Sequence, residues 1–137
     1  MYKKLLTVLI LITLPALLFA QSGFSDCEFI FKKVQHLASL KISNEAFEDT
    51  LINELRSQGF PLKKGEILYK FVVTDSSKID ELTVESGEVA KEEVLSETIL
   101  HFADLWKPAV QNGYNVCSYI RLKLKFADKK VSIEISQ

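Results

Sequence analysis

The sequence is poor in the residues that build several specialised classes of protein. It has two cysteines, three prolines and five glycines in 137 residues, and it contains no internal repeat, low-complexity segment or long linker. The formal net charge is only −1, which gives no bias towards nucleic acid. The composition therefore excludes a multidomain machine and predicts one small domain whose stability comes from a hydrophobic core.

The side chains needed for catalysis or metal binding are also scarce. Neither cysteine has a second cysteine at CxxC spacing, and the two histidines, His36 and His101, stand alone in the sequence. No Gly-x-Ser-x-Gly motif marks a nucleophile. We therefore predict no catalytic residues, no metal ligands and no cofactor. A small enzyme that pairs Cys27 or Cys117 with a histidine is the competing hypothesis.

One long apolar run stands at the N-terminus. Lys3 and Lys4 precede it, and Pro15 interrupts it shortly before Ala20. This arrangement is typical of a secretory signal that is cleaved after residue 20. The sequence thus predicts an exported chain, periplasmic or secreted, with no stable membrane span after cleavage. A retained anchor is the alternative.

The first half of the exported chain is predicted to be helical. Over residues 27–40 a strand-like alternation of Phe29 and Phe31 competes with helical spacing, and we favour the helix. A second helix is capped by Ser43 or Asn44 and stops at Gly59. It presents an apolar face of Phe47, Leu51 and Leu55. Residues 21–54 are therefore predicted to form an N-terminal helical segment.

The second half, residues 55–137, is predicted to be an α+β domain. Clean alternation predicts strands over residues 67–73, 79–85, 120–126 and 131–135, and three-and-four spacing predicts a long helix over residues 89–106. Gly87 is predicted to close the first hairpin. The predicted fold is an antiparallel sheet of three or four strands, with a ββαβ core packed on one long helix and N-terminal helices added.

The two cysteines offer one covalent link. An exported compartment permits a disulfide between Cys27 and Cys117, which we favour over two separate buried thiols. Such a bridge would close a loop of roughly 90 residues and stabilise the fold by about 4 to 5 kcal/mol in the chain-entropy model.

Two sequence segments resemble the C-terminal domain of TonB, the periplasmic energy-transducing protein of Gram-negative outer-membrane transport. The first runs from Gly65 to Val73, like that family's Gly-led first strand. The second runs from Leu105 to Gly113, and its resembling positions are Trp106, Lys107, Pro108, Asn112 and Gly113. The resemblance covers roughly residues 55–135 and implies a ββαβ order with a structural role for the tryptophan.

Several departures from that family bear on function. Gly59-Phe60-Pro61 is only a partial counterpart of the family's Tyr-Pro motif, and Asp75-Ser76-Ser77-Lys78 lacks the glycine of the usual turn. The chain also has a predicted cleaved signal instead of an anchor, and no Pro-rich spacer. We therefore interpret it as a stand-alone TonB-like module.

The resemblance implies that an extended peptide, such as one from an outer-membrane transporter, adds to the edge of the third strand. This strand covers residues 118–126. The predicted partner-binding residues are Ser118, Ile120, Arg121, Leu122, Lys123 and Lys125. If the strand at residues 131–135 already covers that edge, the site is closed or must open. The alternative is a structural protein whose same edge pairs with itself in a homodimer.

Overall fold

The computed structural model describes residues 27–137, so the predicted signal at residues 1–20 lies outside the described residues. The described chain is α+β, as predicted, with two α-helices and a curled sheet. Neither α-helix in this range is long and apolar enough to cross a membrane. The elements in chain order are β1 (Ile30–Phe31), β2 (Ser39–Leu40), α1 (Asn44–Ser57), β3 (Gly65–Val73), β4 (Ile79–Glu88), α2 (Glu92–His101), a 3₁₀ turn (Ala103–Leu105), β5 (Trp106–Lys107), β6 (Ala109–Gln111), β7 (Tyr114–Ala127) and β8 (Lys130–Ser136).

The long strand β7 is the centre of the main sheet. On one side it pairs antiparallel with β3, from Ser118 opposite Val73 to Phe126 opposite Gly65, and β4 continues the sheet beyond β3. Its other side pairs with β8 in an antiparallel hairpin and with the short parallel strand β1. Strand β6 forms a hairpin with the start of β7. The long outer strands of the sheet are therefore β4 and β8, and the short strands β1 and β6 also pair only with β7.

Period-two alternation gives the sheet one dry face and one wet face. Alternate residues of β3 and β7 are buried beneath the two helices, whereas their neighbours point to the opposite, polar face. The buried set is Ile67, Tyr69, Phe71, Val73, Ile120, Leu122, Leu124 and Phe126. The core lies between this face and the helices.

Helix α1 forms where the sequence predicts it. The Ser43 side chain accepts a hydrogen bond from the Ala46 backbone N–H at 3.1 Å, which caps the helix. Its apolar face is buried against the sheet through Phe47, Leu51, Ile52 and Leu55. The cap and the four-residue spacing are local signals, which is why this element could be predicted from the sequence.

The predicted helix over residues 27–40 is not present. Instead, Ile30 and Phe31 pair with Cys117 and Ser118 of β7, and β2 pairs with β5. The segment is held in an extended form by partners about 70 to 90 positions away, a constraint that helical spacing alone could not reveal. The strand-like alternation of Phe29 and Phe31 correctly indicated an extended backbone in this segment.

The predicted helix over residues 89–106 is shorter than expected. Helix α2 ends at His101, and Trp106 and Lys107 lie in β5 rather than at a helix end. Gly87 does not close the hairpin, because β4 continues through it to Glu88. At this position, with φ of +84°, a Cβ atom would overlap the Glu66 carbonyl oxygen. The glycine is therefore required by close strand approach and backbone conformation.

The buried hydroxyl of Tyr69 joins β3 to α2. It donates to Glu92 Oε1 at 2.8 Å and lies 3.2 Å from Ser96 Oγ. Burial, with a contribution from the Glu92 carboxylate, raises the pKa of Tyr69 well above its ordinary value. A polar contact therefore fixes α2 on the sheet in addition to its apolar packing.

We expect Tyr69→Phe to lower the free energy of unfolding by about 1 to 2 kcal/mol near neutral pH, since it removes a hydrogen bond to a charged acceptor. The folded state keeps the Tyr69 proton at pH values where the unfolded chain loses it, so this residue's contribution falls as pH rises above about 10. Tyr69→Phe should therefore lose less stability on going to alkaline pH. Urea denaturation across pH measures both effects, and parallel pH curves for the two proteins would contradict the assignment.

Candidate functional site

The strand predicted to receive a partner has no free edge. Over Ser118 to Phe126, β7 pairs with β3 on one side, and β8 pairs with Arg121 to Ala127 on the other. Strand β1 occupies the same side at Cys117 and Ser118. From the sequence, the site is expected to be closed if the last strand covers this edge, and the structure shows that it does. A peptide could pair with β7 only after β8 or β1 had separated from it.

The six predicted partner-binding residues divide between the two faces of β7. Ser118, Ile120 and Leu122 are buried on the core side. On the polar face, Arg121, Lys123 and Lys125 follow one another at every second position, and Lys125 is exposed. The structure therefore does not bring the six residues together as one accessible surface.

Two of these basic side chains already hold carboxylates. Arg121 Nε and Nη2 donate to the two oxygens of Glu85 at 2.7 and 3.1 Å, and Lys123 Nζ lies 3.0 Å from Glu66 Oε1. The hydrogen bond from Arg121 lowers the pKa of Glu85, and that from Lys123 to Glu66 raises the pKa of Lys123. The Lys123–Glu66 pair joins the neighbouring strands β7 and β3, whereas the Arg121–Glu85 pair reaches from β7 across β3 to β4. Both stabilise the polar face modestly.

The Trp106-Lys107-Pro108 segment contributes to the packing of the fold. Trp106 is fully buried, and the backbone of residues 36–41 runs beside residues 105–110 through β2, β5 and a bridge between His36 and Val110. Asn112 and Gly113, both with positive φ, form the turn between β6 and β7. The segment thus holds the N-terminal part of the described chain against the core.

The predicted disulfide between Cys27 and Cys117 is confirmed. Their Cα atoms are 6.1 Å apart, and the bridge joins the start of the described chain to β7. Neither cysteine offers a thiol while the bridge is intact, so the pairing of a cysteine nucleophile with a histidine has no thiolate to use. Within residues 27–137, no three His, Cys, Asp or Glu side chains form a group that could hold a metal.

Among the described residues, the outer edge of β4 is one of the two long edges on which a strand could be added, and it is irregular. Its pairing with β3 shifts register twice, between Leu68 and Tyr69 and between Lys70 and Val72. Glu81 has a φ of 55°, and the strand is acidic, with Asp80, Glu81, Glu85 and Glu88. Bulges and charges of this kind discourage a further strand from pairing.

The outer edge of β8 has a regular backbone and a side-chain cap. Asp128 and Lys129, with φ of 52° and 60°, form the tight turn after which Lys130 pairs with Ala127. In an antiparallel ladder, alternate residues direct their backbone groups away from the partner strand. The N–H of Ile133 points away from β7 in this way and donates to Glu48 Oε1 of α1 at 3.1 Å. Glu48 occupies the place that a carbonyl of an added strand would take.

A groove separates α1 from this edge. Its volume is about 450 Å³, and we call it the edge groove. Ile52 and Val131 provide apolar surface, while acidic and basic groups stand at its rim. Its main lining residues are Glu48, Asp49, Ile52, Arg56, Lys130 and Val131. Arg56 Nη2 donates to the Lys129 carbonyl oxygen at 3.3 Å, which joins the helix to the hairpin turn at the basic side.

Sequence reasoning missed this site because its two walls are far apart in the chain. Glu48 and Ile133 are 85 positions apart, and Glu48 has the sequence context of an ordinary exposed residue of an amphipathic helix. The turn at residues 127–130 and the last strand were predicted, and together they carried the available signal that β8 would cover β7. No protein-family model matches the chain, and neither a curated protein nor a solved structure does.

Proposed function

We propose that this protein is an exported protein-binding module, similar to the C-terminal domain of TonB, that binds an extended peptide by strand addition. The peptide pairs with the outer edge of β8 and lies in the edge groove beside α1. This moves the site one strand outwards from residues 118–126, because β8 covers that strand. The proposed activity is binding, with no catalytic step.

The contact between Glu48 and Ile133 is the observation that carries the proposal. A backbone N–H on a sheet edge is here satisfied by a side-chain carboxylate, and a side chain can rotate away when a peptide carbonyl arrives. The groove next to it leaves space for the incoming chain. Main-chain hydrogen bonds would supply affinity, and contacts with Ile52, Arg56 and Lys130 would supply selectivity.

Export is the second part of the proposal. A disulfide that closes a long loop persists in oxidising compartments such as the periplasm or the extracellular space. The apolar N-terminal run with its preceding lysines supports delivery there by a cleaved signal. We propose a periplasmic or secreted location on these two grounds.

An outer-membrane transporter is the partner that the TonB resemblance suggests. Two strands, β3 and β4, precede α2, and the long strand β7 comes after it, with the short strands β5 and β6 between them. This order is compatible with that family's, and the Trp106-Lys107-Pro108 segment lies between α2 and β7. A short periplasmic segment of such a transporter would be the extended peptide.

The strand-addition site can be tested with peptides from a random displayed library that are selected for binding to the immobilised protein. We expect Glu48→Ala to bind a selected peptide about tenfold more tightly than the wild type, since the side chain that competes for the Ile133 N–H is gone. Ile133→Pro should abolish binding, because proline lacks that N–H yet is tolerated where an edge N–H faces outwards. Isothermal titration calorimetry measures the affinities.

Glu45→Ala is the matched control, since it removes the same charge from an exposed position of α1 outside the groove. It should leave the affinity unchanged. Far-UV circular dichroism verifies that Ile133→Pro is folded. Equal affinities for wild type, Glu48→Ala and folded Ile133→Pro would refute binding at β8. Capture of an outer-membrane transporter from an envelope extract by wild type alone would identify the partner.

Self-association is the competing function, with β8 of one copy pairing with β8 of a second. Light scattering across a concentration series distinguishes it from peptide binding. A stable dimer that Ile133→Pro converts to a monomer would replace the peptide-receptor proposal with the structural one.

A further inference from the structure

Three basic side chains converge on the polar face of the sheet, on the side away from the helices. They are Lys32, Lys70 and Arg121, and with Tyr119 and Gln137 they line a cavity of about 220 Å³, which we call the anion notch. It is separate from the edge groove and shares no lining residue with it.

The sheet topology brings these residues together from four parts of the chain. Lys70 and Arg121 are direct register partners on β3 and β7, and Tyr119 precedes Arg121 by two positions, so it points to the same face. Lys32 directly follows β1, and Gln137 directly follows β8. Because β1 and β8 lie on the same side of β7, their ends meet at the notch.

The charges in the notch do not cancel. Arg121 is paired with Glu85, whereas Lys70 Nζ lies 4.6 Å from the centre of the Tyr119 ring. Lys32 is exposed, and within residues 27–137 it has no carboxylate partner. One side-chain carboxylate, that of Glu85, therefore faces three cationic side chains, which leaves the lining side chains with an excess of positive charge.

The notch also holds hydrogen-bond donors without acceptors. The Gln137 side-chain oxygen accepts from the Val34 backbone N–H at 3.4 Å. This contact orients the amide, and its Nε2 is buried with no hydrogen-bond partner in the described chain. Buried donors without partners are rare in folded proteins, and this one belongs to a residue that lines the notch, so a ligand that accepts a hydrogen bond would satisfy it once the amide turns towards the cavity. The Tyr119 hydroxyl at the same cavity supplies a further donor.

We propose that the anion notch binds a phosphoryl group. The excess of positive side chains favours an anion, and a phosphate monoester carries close to two negative charges at neutral pH. Its oxygens would accept from Lys32, Lys70, Tyr119 and the Gln137 amide, while Arg121 remains on Glu85. The cavity is smaller than the roughly 300–1,000 Å³ of sites for whole small molecules, so the notch recognises a headgroup rather than a complete ligand.

Titration with inorganic phosphate, followed by ¹H–¹⁵N NMR on the disulfide-bonded protein, tests this site. We expect saturable shifts of the backbone amides near Lys70, Tyr119 and Gln137, measured against sodium chloride at matched ionic strength. Lys32→Ala and Lys70→Ala should each weaken phosphate binding about five- to tenfold. Lys125→Ala removes the same charge from an exposed position of the same sheet face and should leave binding unchanged.

Two further probes distinguish the source of the phosphoryl group. Co-sedimentation with phosphatidic acid vesicles that depends on Lys32 would assign it to a lipid headgroup, whereas binding of glycerol phosphate without vesicle binding would assign it to a soluble ester. The proposal is overturned if phosphate gives only the shifts that chloride gives, or if Lys125→Ala weakens binding as much as Lys32→Ala. Peptide binding in the edge groove does not enter either readout, so the two proposals can fail separately.

Discussion

Loss of the Cys27–Cys117 disulfide is expected to lower the free energy of unfolding by about 4 to 5 kcal/mol, the largest change that we predict for this chain. The bridge spans 90 positions, and in the chain-entropy model closing a loop of this length removes a large part of the unfolded chain's freedom. The total stability of a small domain is about 5 to 15 kcal/mol. The chain without the bridge should therefore be marginally stable.

Urea denaturation of the oxidised and reduced wild-type protein measures this effect without changing a side chain. The Cys27→Ala, Cys117→Ala double variant should agree with the reduced protein to within the small cost of the cavity at Cys117. Hydrogen exchange should also become faster at Ile30 and Phe31, because β1 has only two pairs with β7. Identical denaturation midpoints for oxidised and reduced protein would show that the bridge does not constrain the unfolded chain.

Truncation of Trp106 is expected to have the second largest effect. Trp106→Ala should cost about 3 to 5 kcal/mol, the typical range for removing a large buried aromatic side chain. The indole ring is fully buried, and its centre lies 5.4 Å from that of Phe71 and 6.4 Å from that of Phe47, with edge-to-face geometry in both cases. It therefore joins β3, α1 and β5 in one cluster.

Trp106→Phe is the informative comparison. The indole Nε1 is buried and has no hydrogen-bond partner in the described residues, so phenylalanine loses packing volume but breaks no hydrogen bond. We expect a cost of about 1 to 1.5 kcal/mol, typical of a change in shape within a core. Thermal and urea denaturation give both values. If phenylalanine costs as much as alanine, the indole nitrogen has a partner after all, such as an ordered water.

Local signals account for the parts of the fold that were predicted from the sequence. The Ser43 cap and the apolar spacing of Phe47, Leu51 and Leu55 specify α1, and alternation specifies β3 and most of β7. The pairing of Cys27 with Cys117 was predictable because an exported chain with two cysteines has one intramolecular choice. In each case the determining residues are close in sequence or are the only candidates.

Non-local pairing accounts for the parts that were missed. Residues 27–40 have helical spacing at Ile30, Val34 and Leu37, yet β7 and β5 hold them extended. Whether another strand covers the edge of β7 depends on the order of strands in the sheet, and period-two alternation does not encode that order. Both candidate sites share this property, since Glu48 meets Ile133 and Lys32 meets Lys70 only through the completed sheet.

The position of β7 also bears on how fast the protein reaches its native state. Apart from the β3–β4, β6–β7 and β7–β8 hairpins, the pairings of the main sheet join distant segments, such as Gly65 with Phe126 and Ile30 with Cys117. Folds dominated by such pairings pay the entropy of loop closure early and fold in milliseconds to seconds. Strand β7 follows most of the chain, so until it is available β1 has no partner strand in the main sheet and β3 pairs only with β4. The exposed edges of the waiting N-terminal half are then open to other chains, and the disulfide can form only after this interval.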